Sequence, residues 1–422
     1  VVGWRCDGPD RTVAFTALPG ARKEKALVKI ARVEAFVVKI PRAERFAGGA
    51  GAVPGEKTPM LEGWSNDSYF RIGGYRSLFS PVIQTMMVRI ETDTGIVGWG
   101  EAQAPIVPEV PKLIVDQLFG PLLLSRNPFD SQILWQEMYD ATRERGHGTG
   151  FVLDAISAID IALWDIKGKA LNLSVSQLLG GAFRAEVPVY LSGLAAPTLQ
   201  GQIELAQSYR DQGFSAFKVF LGFGLADDLA RVEGLRGSLG DGTSIMVDAH
   251  WMYDVSTTLA LGVEYERVGV RWLESPLVPE DLDGHARLTK SLRLPIAIGE
   301  GERTVYQFRQ ILEARAGDIM QPDVGRAGGI TESMRIATLA HAHHATVAPH
   351  CGVGLGAYIA ASVHLAASVP NLELLEYQPT MYSVANSLLK EPFEFHQGRV
   401  SVPASPGLGI EFDLDALYRY IQ

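Results

Sequence analysis

The chain has 422 residues, 47% hydrophobic and 20% charged, a composition that excludes intrinsic disorder and allows a large domain beside a smaller one. Its 38 basic and 48 acidic side chains give a net charge of −10 with no basic block; nucleic-acid binding is excluded, and an anionic ligand has to be held by local cations or a metal. No apolar run approaches the roughly 18 residues of a membrane span, and Cys6 and Cys351 lie too far apart for a disulfide framework, so a cytoplasmic location is expected.

Residues 1–27 mix Trp4, Arg5, Asp7 and Arg11 with a charged cluster at 22 to 25 and hold no apolar stretch like that of a signal peptide. They read as an N-terminal extension. From Ala26 to Pro41 and from Gln84 to Ala102 β-branched and polar residues alternate, and Asp93-Thr94-Gly95 interrupts the second run as a hairpin turn does. The stretch between them, Phe46 to Pro81, is too long for a tight connection and reads as a lid or binding loop. Helical patterns follow around 108–124 and 128–145, and a third, strongly amphipathic, runs from Val152 to Ala170. Residues 28–150 are therefore expected to form an α+β capping domain.

Beyond it, short apolar runs begin at 187, 216, 244, 270, 295, 318, 345 and 372, each but the last followed by a helical stretch. Eight strands alternating with helices predict a parallel β/α barrel over 151–376. A doubly wound open sheet is disfavoured, because no Gly-rich phosphate fingerprint follows the first strand. Residues 377–422 are expected to return and pack on the capping domain.

At or just past the strand ends stand Lys218, Asp248, Glu274, Glu300, Asp323, His350 and Glu376, spaced 23 to 30 residues apart. One βα unit spans about that interval, so all seven point into one barrel mouth. Asp248, Glu274 and Glu300 come from consecutive strands about 4.8 Å apart. Their carboxylates can converge, and three hard oxygen donors without Cys or His favour Mg²⁺. Asp323 and His350 end adjacent strands; a carboxylate that fixes the imidazole tautomer and raises its pKa builds a general base. Glu376 can donate or share a proton with a carboxylate oxygen of the intermediate. Such a set suits removal of a weakly acidic α-proton beside a carboxylate, where a divalent ion stabilises the second negative charge.

From about residue 28 onward the chain resembles the mandelate racemase subgroup of the enolase superfamily. The carriers are Ala158-Ile159-Asp160-Ile161-Ala162-Leu163-Trp164-Asp165-Ile166-Lys167-Gly168-Lys169, Leu178-Leu179-Gly180-Gly181, Trp272-Leu273-Glu274-Ser275-Pro276, Gly299-Glu300, Gln321-Pro322-Asp323 with Gly328-Gly329-Ile330, and Pro349-His350. The resemblance implies a (β/α)₇β modified TIM barrel whose α+β N-terminal cap is completed by the C-terminal segment. It assigns Asp248, Glu274 and Glu300 to Mg²⁺, Asp323 and His350 to the base, and Glu376 to an electrophilic partner. It also implies a homo-oligomer, between a dimer and an octamer.

Members of the family that use two bases carry Lys-x-Lys on the second strand, where this chain has Lys218-Val219-Phe220. The missing second lysine disfavours racemisation or epimerisation and leaves Lys218 to pair with a substrate carboxylate or a metal ligand. His250, two residues past Asp248, again faces the mouth, and resembles the general acid of the family's acid-sugar dehydratases. The expected function is thus Mg²⁺-dependent dehydration of a small sugar acid to a 2-keto-3-deoxy acid. The alternative is cycloisomerisation of a sugar lactone or anhydro-sugar acid through the same enediolate; a non-catalytic binding protein would be expected to have lost part of the set. In the cap loop Trp64, Arg71, Tyr75 and Arg76 are candidates for substrate contact. His341, His343 and His344 invite a zinc reading, but they end a helix at the opposite end of the barrel from the carboxylates.

Overall fold

A computed structural model describes residues 28–41, 68–71, 75–196 and 198–422; the extension 1–27, Trp64 and most of the cap loop lie outside the described residues. The two alternating runs form an antiparallel sheet of β1 (Ile30–Pro41), β2 (Val82–Thr92) and β3 (Val97–Ala102), in that order. Its registers pair Val33 with Ile90 and Val88 with Gly100. The turn falls where expected: the Gly95 amide donates to Thr92 O at 3.0 Å, with Gly95 at φ +82°.

The helical run after β3 is one rod with a π turn, Glu109–Ile114, Val115–Phe119 and Gly120–Leu123, and Ser131–Arg143 follows. Helix Phe151–Leu171, expected to be strongly amphipathic, is instead buried on nearly every side, Asp154, Asp160 and Asp165 included, because it is sandwiched between two layers. It lies directly on β3: a Cβ at Gly100 would sit 1.8 Å from Ala158 O, and one at Gly98 2.3 Å from Ala162 O. From its other side Asp160 accepts the Thr331 amide at 2.9 Å and the Thr331 hydroxyl at 2.6 Å. This helix therefore couples the sheet to the barrel.

The barrel strands are β4 (Glu186–Ser192), β5 (Ala216–Phe220), β6 (Ser244–Asp248), β7 (Val270–Glu274), β8 (Ile296–Ile298), β9 (Ile319–Met320), β10 (Thr346–Val347) and β11 (Leu375–Tyr377). Neighbours pair in parallel from β4 to β10, and β11 pairs β4. An isolated parallel bridge between Val347 and Leu372, with the Glu373 amide on Val347 O at 2.7 Å, ties β10 to the stretch that leads into β11. Seven helices lie between the strands, several started by side-chain caps: Asp254 accepts from the Thr257 amide at 2.7 Å and Asp281 from Gly284 at 2.8 Å.

The C-terminal segment meets the capping sheet at its end, with Ile421 bridged to Val38 and the Gln422 amide on Val37 O at 2.9 Å. It also does something the sequence reading lacked. The hairpin Phe395–His396 and Arg399–Ser401 adds two antiparallel strands to β4. Among the described residues no helix is long and apolar enough to cross a membrane.

One residue per strand fills the barrel interior: Tyr190, Ala216, Met246, Trp272, Ala297, Ile319, Ala348 and Leu374 pack together as a separate buried cluster. Side chains alternate along a strand. Two positions further toward the C-terminal ends stand Ser192, Lys218, Asp248, Glu274, Gln321, His350 and Glu376. The apolar plug below thus dictates the polar layer above it. On β8 the period breaks, since Gly299 at φ +133° holds that position and Glu300 follows it.

Candidate active site

Lys218 stands at the centre of the polar layer. Its Nζ lies 2.5 Å from Glu274 Oε1, 3.1 Å from Glu376 Oε1 and 3.4 Å from Asp248 Oδ2, all four groups being buried. Burial works against the ammonium, but Glu274 and Glu376 outweigh it and raise its pKa well above the ordinary value. Among the carboxylates, burial, opposed by Lys218 and reinforced by neighbouring acids, pushes Asp248 to about 6 and Glu274 to about 8. Glu376 goes the other way: burial is overcome by Lys218 and His350, with the Cys351 amide donating to Oε2 at 2.8 Å. Glu376 thus stands as a counter-charge to Lys218 and His350.

The expected metal trio lies along the same strand ends. Asp248 and Glu274 share Lys218, while Glu300 Oε2 lies 3.2 Å from His350 Nε2. Among the described residues no three His, Cys, Asp or Glu side chains form a ready metal-holding group. Lys218 and His350 are the cations these acids meet. The donor set still fits a hard divalent cation. It is oxygen only and comes from adjacent strand ends, where three carboxylates stand beside the single ammonium of Lys218 and the His350 ring.

The expected dyad is assembled. His350 Nδ1 donates to Asp323 Oδ2 at 2.5 Å, and Asp323 Oδ1 accepts the Gly325 amide at 2.8 Å. Burial alone would depress the imidazole; Glu376, the Asp323 hydrogen bond and Glu300 reverse that and carry it to about 9. A third group, absent from the sequence reading, joins them: the Tyr358 hydroxyl donates to Asp323 Oδ2 at 2.7 Å.

His250 faces the mouth as its register requires, inside an aromatic wall. The Tyr75 ring lies 4.6 Å from it, the Trp251 ring 4.6 Å and the Phe79 ring 6.4 Å, and Tyr75 packs on Phe223 at 5.5 Å. Phe220, where a second lysine would stand, lies over the Lys218 ammonium at 5.4 Å. Both His250 ring nitrogens are buried without a hydrogen-bond partner among the described residues, and burial lowers its pKa, so the ring is neutral. The backbone around it is strained: His250, Trp251 and Ser275 have φ of +46°, +59° and +45°, a conformation costing on the order of 1–3 kcal/mol each for non-glycine residues and concentrated at functional sites.

Of the cap candidates, Tyr75 reaches the site and donates to Leu221 O at 3.2 Å. Arg71 is half-buried, with Nε unpartnered among the described residues, and Arg76 is exposed. Gln103, just beyond β3, is a wall residue the sequence reading missed. A Cβ at Gly352 would sit 2.7 Å from both Gln103 Nε2 and His350 Cε1, and Gln103 Oε1 is buried and unpartnered among the described residues. His341, His343 and His344 are exposed at the end of helix Gly329–Ala342.

Comparison with known proteins matches residues 82–180 to the mandelate racemase / muconate lactonizing enzyme N-terminal domain and 202–416 to the enolase C-terminal domain-like family. The chain belongs to the enolase superfamily. This enolase-superfamily enzyme is 37% identical over 348 residues to D-galactarolactone cycloisomerase of Agrobacterium fabrum, covering 79% of this chain and 90% of that one. It is 32% identical over 378 residues to D-xylonate dehydratase of Haloferax volcanii, covering 82% and 89%, and 32% identical over 331 residues to arabinonate dehydratase of Saccharolobus solfataricus, covering 78% and 88%. Among solved structures, an enolase-superfamily member from Agrobacterium tumefaciens superposes with a TM-score of 0.86 at 33% identity, covering 93% of this chain and 99% of that one. A racemase from Streptomyces coelicolor with bound magnesium gives 0.80 at 28% identity, covering 93% and 100%. Its relatives thus include both sugar-acid dehydratases and a cycloisomerase.

Proposed function

We propose that this enzyme removes the α-proton of a sugar-acid carboxylate with His350 as base and expels the β-oxygen, giving a 2-keto-3-deoxy acid. The observation that carries the reading is the 2.5 Å His350–Asp323 hydrogen bond beside the strand-end acids Asp248, Glu274 and Glu300. These three would hold Mg²⁺, whose chemistry there is to stabilise the second negative charge of the enediolate. The chain's own residues do the rest. Asp323 holds the His350 tautomer so that Nε2 takes the proton, and Lys218 offers its ammonium to the substrate carboxylate. Glu376 holds the Lys218 ammonium and offsets the charge that His350 gains when it takes the proton. Phe220 in place of a second lysine leaves one face without a base, so a proton removed is not returned to the opposite face.

The leading form is dehydration, with His250 or the newly protonated His350 delivering a proton to the departing hydroxyl. One observation favours the second form, cycloisomerisation of a lactone. Neutral His250 in its aromatic wall is a weak acid, and a lactone's leaving oxygen departs as a carboxylate that needs no proton. The aromatic wall also suits the C–H face of a ring. Incubation with Mg²⁺ and D-galactarolactone, D-xylonate or arabinonate in D₂O separates these forms, with semicarbazide trapping of 2-keto product and NMR of α-proton exchange. Product from the lactone alone selects cycloisomerisation, and product from an open-chain acid selects dehydration. Absence of both product and exchange on all three would sink the reading.

A further inference from the structure

Tyr358 sits in the first turn of helix Gly356–Ser368, fully buried. Its hydroxyl donates to Asp323 Oδ2, the same oxygen that receives the His350 Nδ1 proton, and accepts the Gly352 amide at 2.9 Å. With Oδ1 held by the Gly325 amide, Asp323 has three donors on two oxygens. Two of them fix where the carboxylate plane lies, and the third, His350, takes its tilt from that plane. Burial, then Asp323, push the phenol well above its ordinary pKa, so it stays a donor.

The ring is also locked from outside. A Cβ at Gly354 would sit 2.0 Å from Tyr358 Cδ1, so the loop leaving His350 closes on the ring only because glycine stands there. From the capping sheet, buried Glu101 at the end of β3 accepts the Leu355 amide at 2.5 Å and the Tyr358 amide at 3.0 Å. Glu101 thereby caps the helix start and sets the height of the ring above Asp323. Glu101 holds the Tyr358 backbone, and the Tyr358 hydroxyl in turn holds Asp323 and through it His350, so the covalent frame of Tyr358 joins the cap to the base.

We infer that Tyr358 is a positioning residue: its hydroxyl, placed by Glu101, holds Asp323 in the orientation that keeps His350 Nε2 aimed into the barrel mouth. This rests on the reading of His350 as base. Removing the hydroxyl leaves the Gly325 amide as the one donor besides His350 that orients Asp323, and leaves the Gly352 amide unpaired. Misplacement of a reacting group by about 1 Å costs on the order of 100-fold in rate.

The test is Tyr358→Phe in the full chain, read two ways. The first needs no substrate: the downfield proton resonance of His350 Nδ1, identified by its loss in His350→Asn, is expected to move or to broaden into exchange with water. The second is α-proton exchange on whichever of D-galactarolactone, D-xylonate and arabinonate the wild type accepts, where kcat is expected to fall about 10- to 100-fold with KM changed less than about twofold. An unmoved resonance, or a loss confined to melting temperature and folded fraction, overturns the inference. If the wild type is silent on all three compounds, the proposed function fails and the resonance alone decides the role of Tyr358. Should Tyr358→Phe not fold, Glu101→Gln is read the same way with a smaller expected loss, about tenfold, and a wild-type resonance and rate would overturn the inference.

Discussion

The Lys218 ammonium and the Glu274 carboxylate meet at 2.5 Å inside the barrel, each fully buried. A buried ion pair of this kind costs roughly 3–5 kcal/mol when one partner is removed, because the other charge is left uncompensated. Lys218→Met should therefore lower stability, by about that amount only at pH values where Glu274, whose pKa is raised to about 8, stays ionised. Added Mg²⁺ should raise the melting temperature of the variant more than that of the wild type, since the cation then competes with no ammonium for Glu274. Equal shifts in a thermal melt would argue against these carboxylates as the metal ligands.

His350→Asn keeps the ring's approximate volume and removes the basic nitrogen. Exchange of the substrate α-proton with solvent deuterium should fall by a factor on the order of 10² to 10⁴. Continued exchange at the wild-type rate, followed by NMR, would mean that another group takes the proton.

His250→Asn separates proton removal from departure of the leaving group. On an open-chain acid the variant should exchange the α-proton at close to the wild-type rate yet form 2-keto product at least about tenfold more slowly. On a lactone both rates should survive. Equal loss of the two rates on an open-chain acid would reduce His250 to part of the aromatic wall.

Asp160 provides a test of stability rather than chemistry. Burial, only partly offset by the two Thr331 hydrogen bonds, pushes its carboxyl to about 7, against about 3.9 in an unfolded chain. The native state then holds a proton that the unfolded state has lost between those values, so this group's contribution to stability declines as pH rises from about 4 to 7 and is level above. Asp160→Asn can still accept the Thr331 amide and donate to its hydroxyl. Its urea midpoint should vary less with pH across that window than the wild type's; an unchanged slope would show that Asp160 is ionised in the fold.

The strand ends were readable because the barrel enforces a two-residue period: an apolar plug such as Trp272 predicts a mouth residue such as Glu274. Lys218, Asp248, His350 and Glu376 follow the same period in the structure, two positions beyond Ala216, Met246, Ala348 and Leu374. What the period does not carry is which charges pair. Glu376 as counter-ion of Lys218, and Glu300 turned to His350, depend on distances across the ring. Tyr358 was invisible for another reason: it reaches Asp323 across 35 residues from a helix that reads as uniformly apolar. Gln103 arrives from the capping sheet, and no local pattern marks a residue that enters a site from a different layer. Of the cap loop, Tyr75 stands at the site and Arg76 is exposed, because loop residues have no period to sort inward from outward.

The contact between Gly100 and Ala158 O leaves no room for even a methyl group. One residue beyond that contact is Glu101, and two further is Gln103. Any side chain at 100 would lift the sheet off the helix and carry both of them away from the barrel mouth. Substitution elsewhere on the capping sheet can be tolerated where position 100 cannot, because the glycine works as a spacer gauge between the sheet and the helix that carries it.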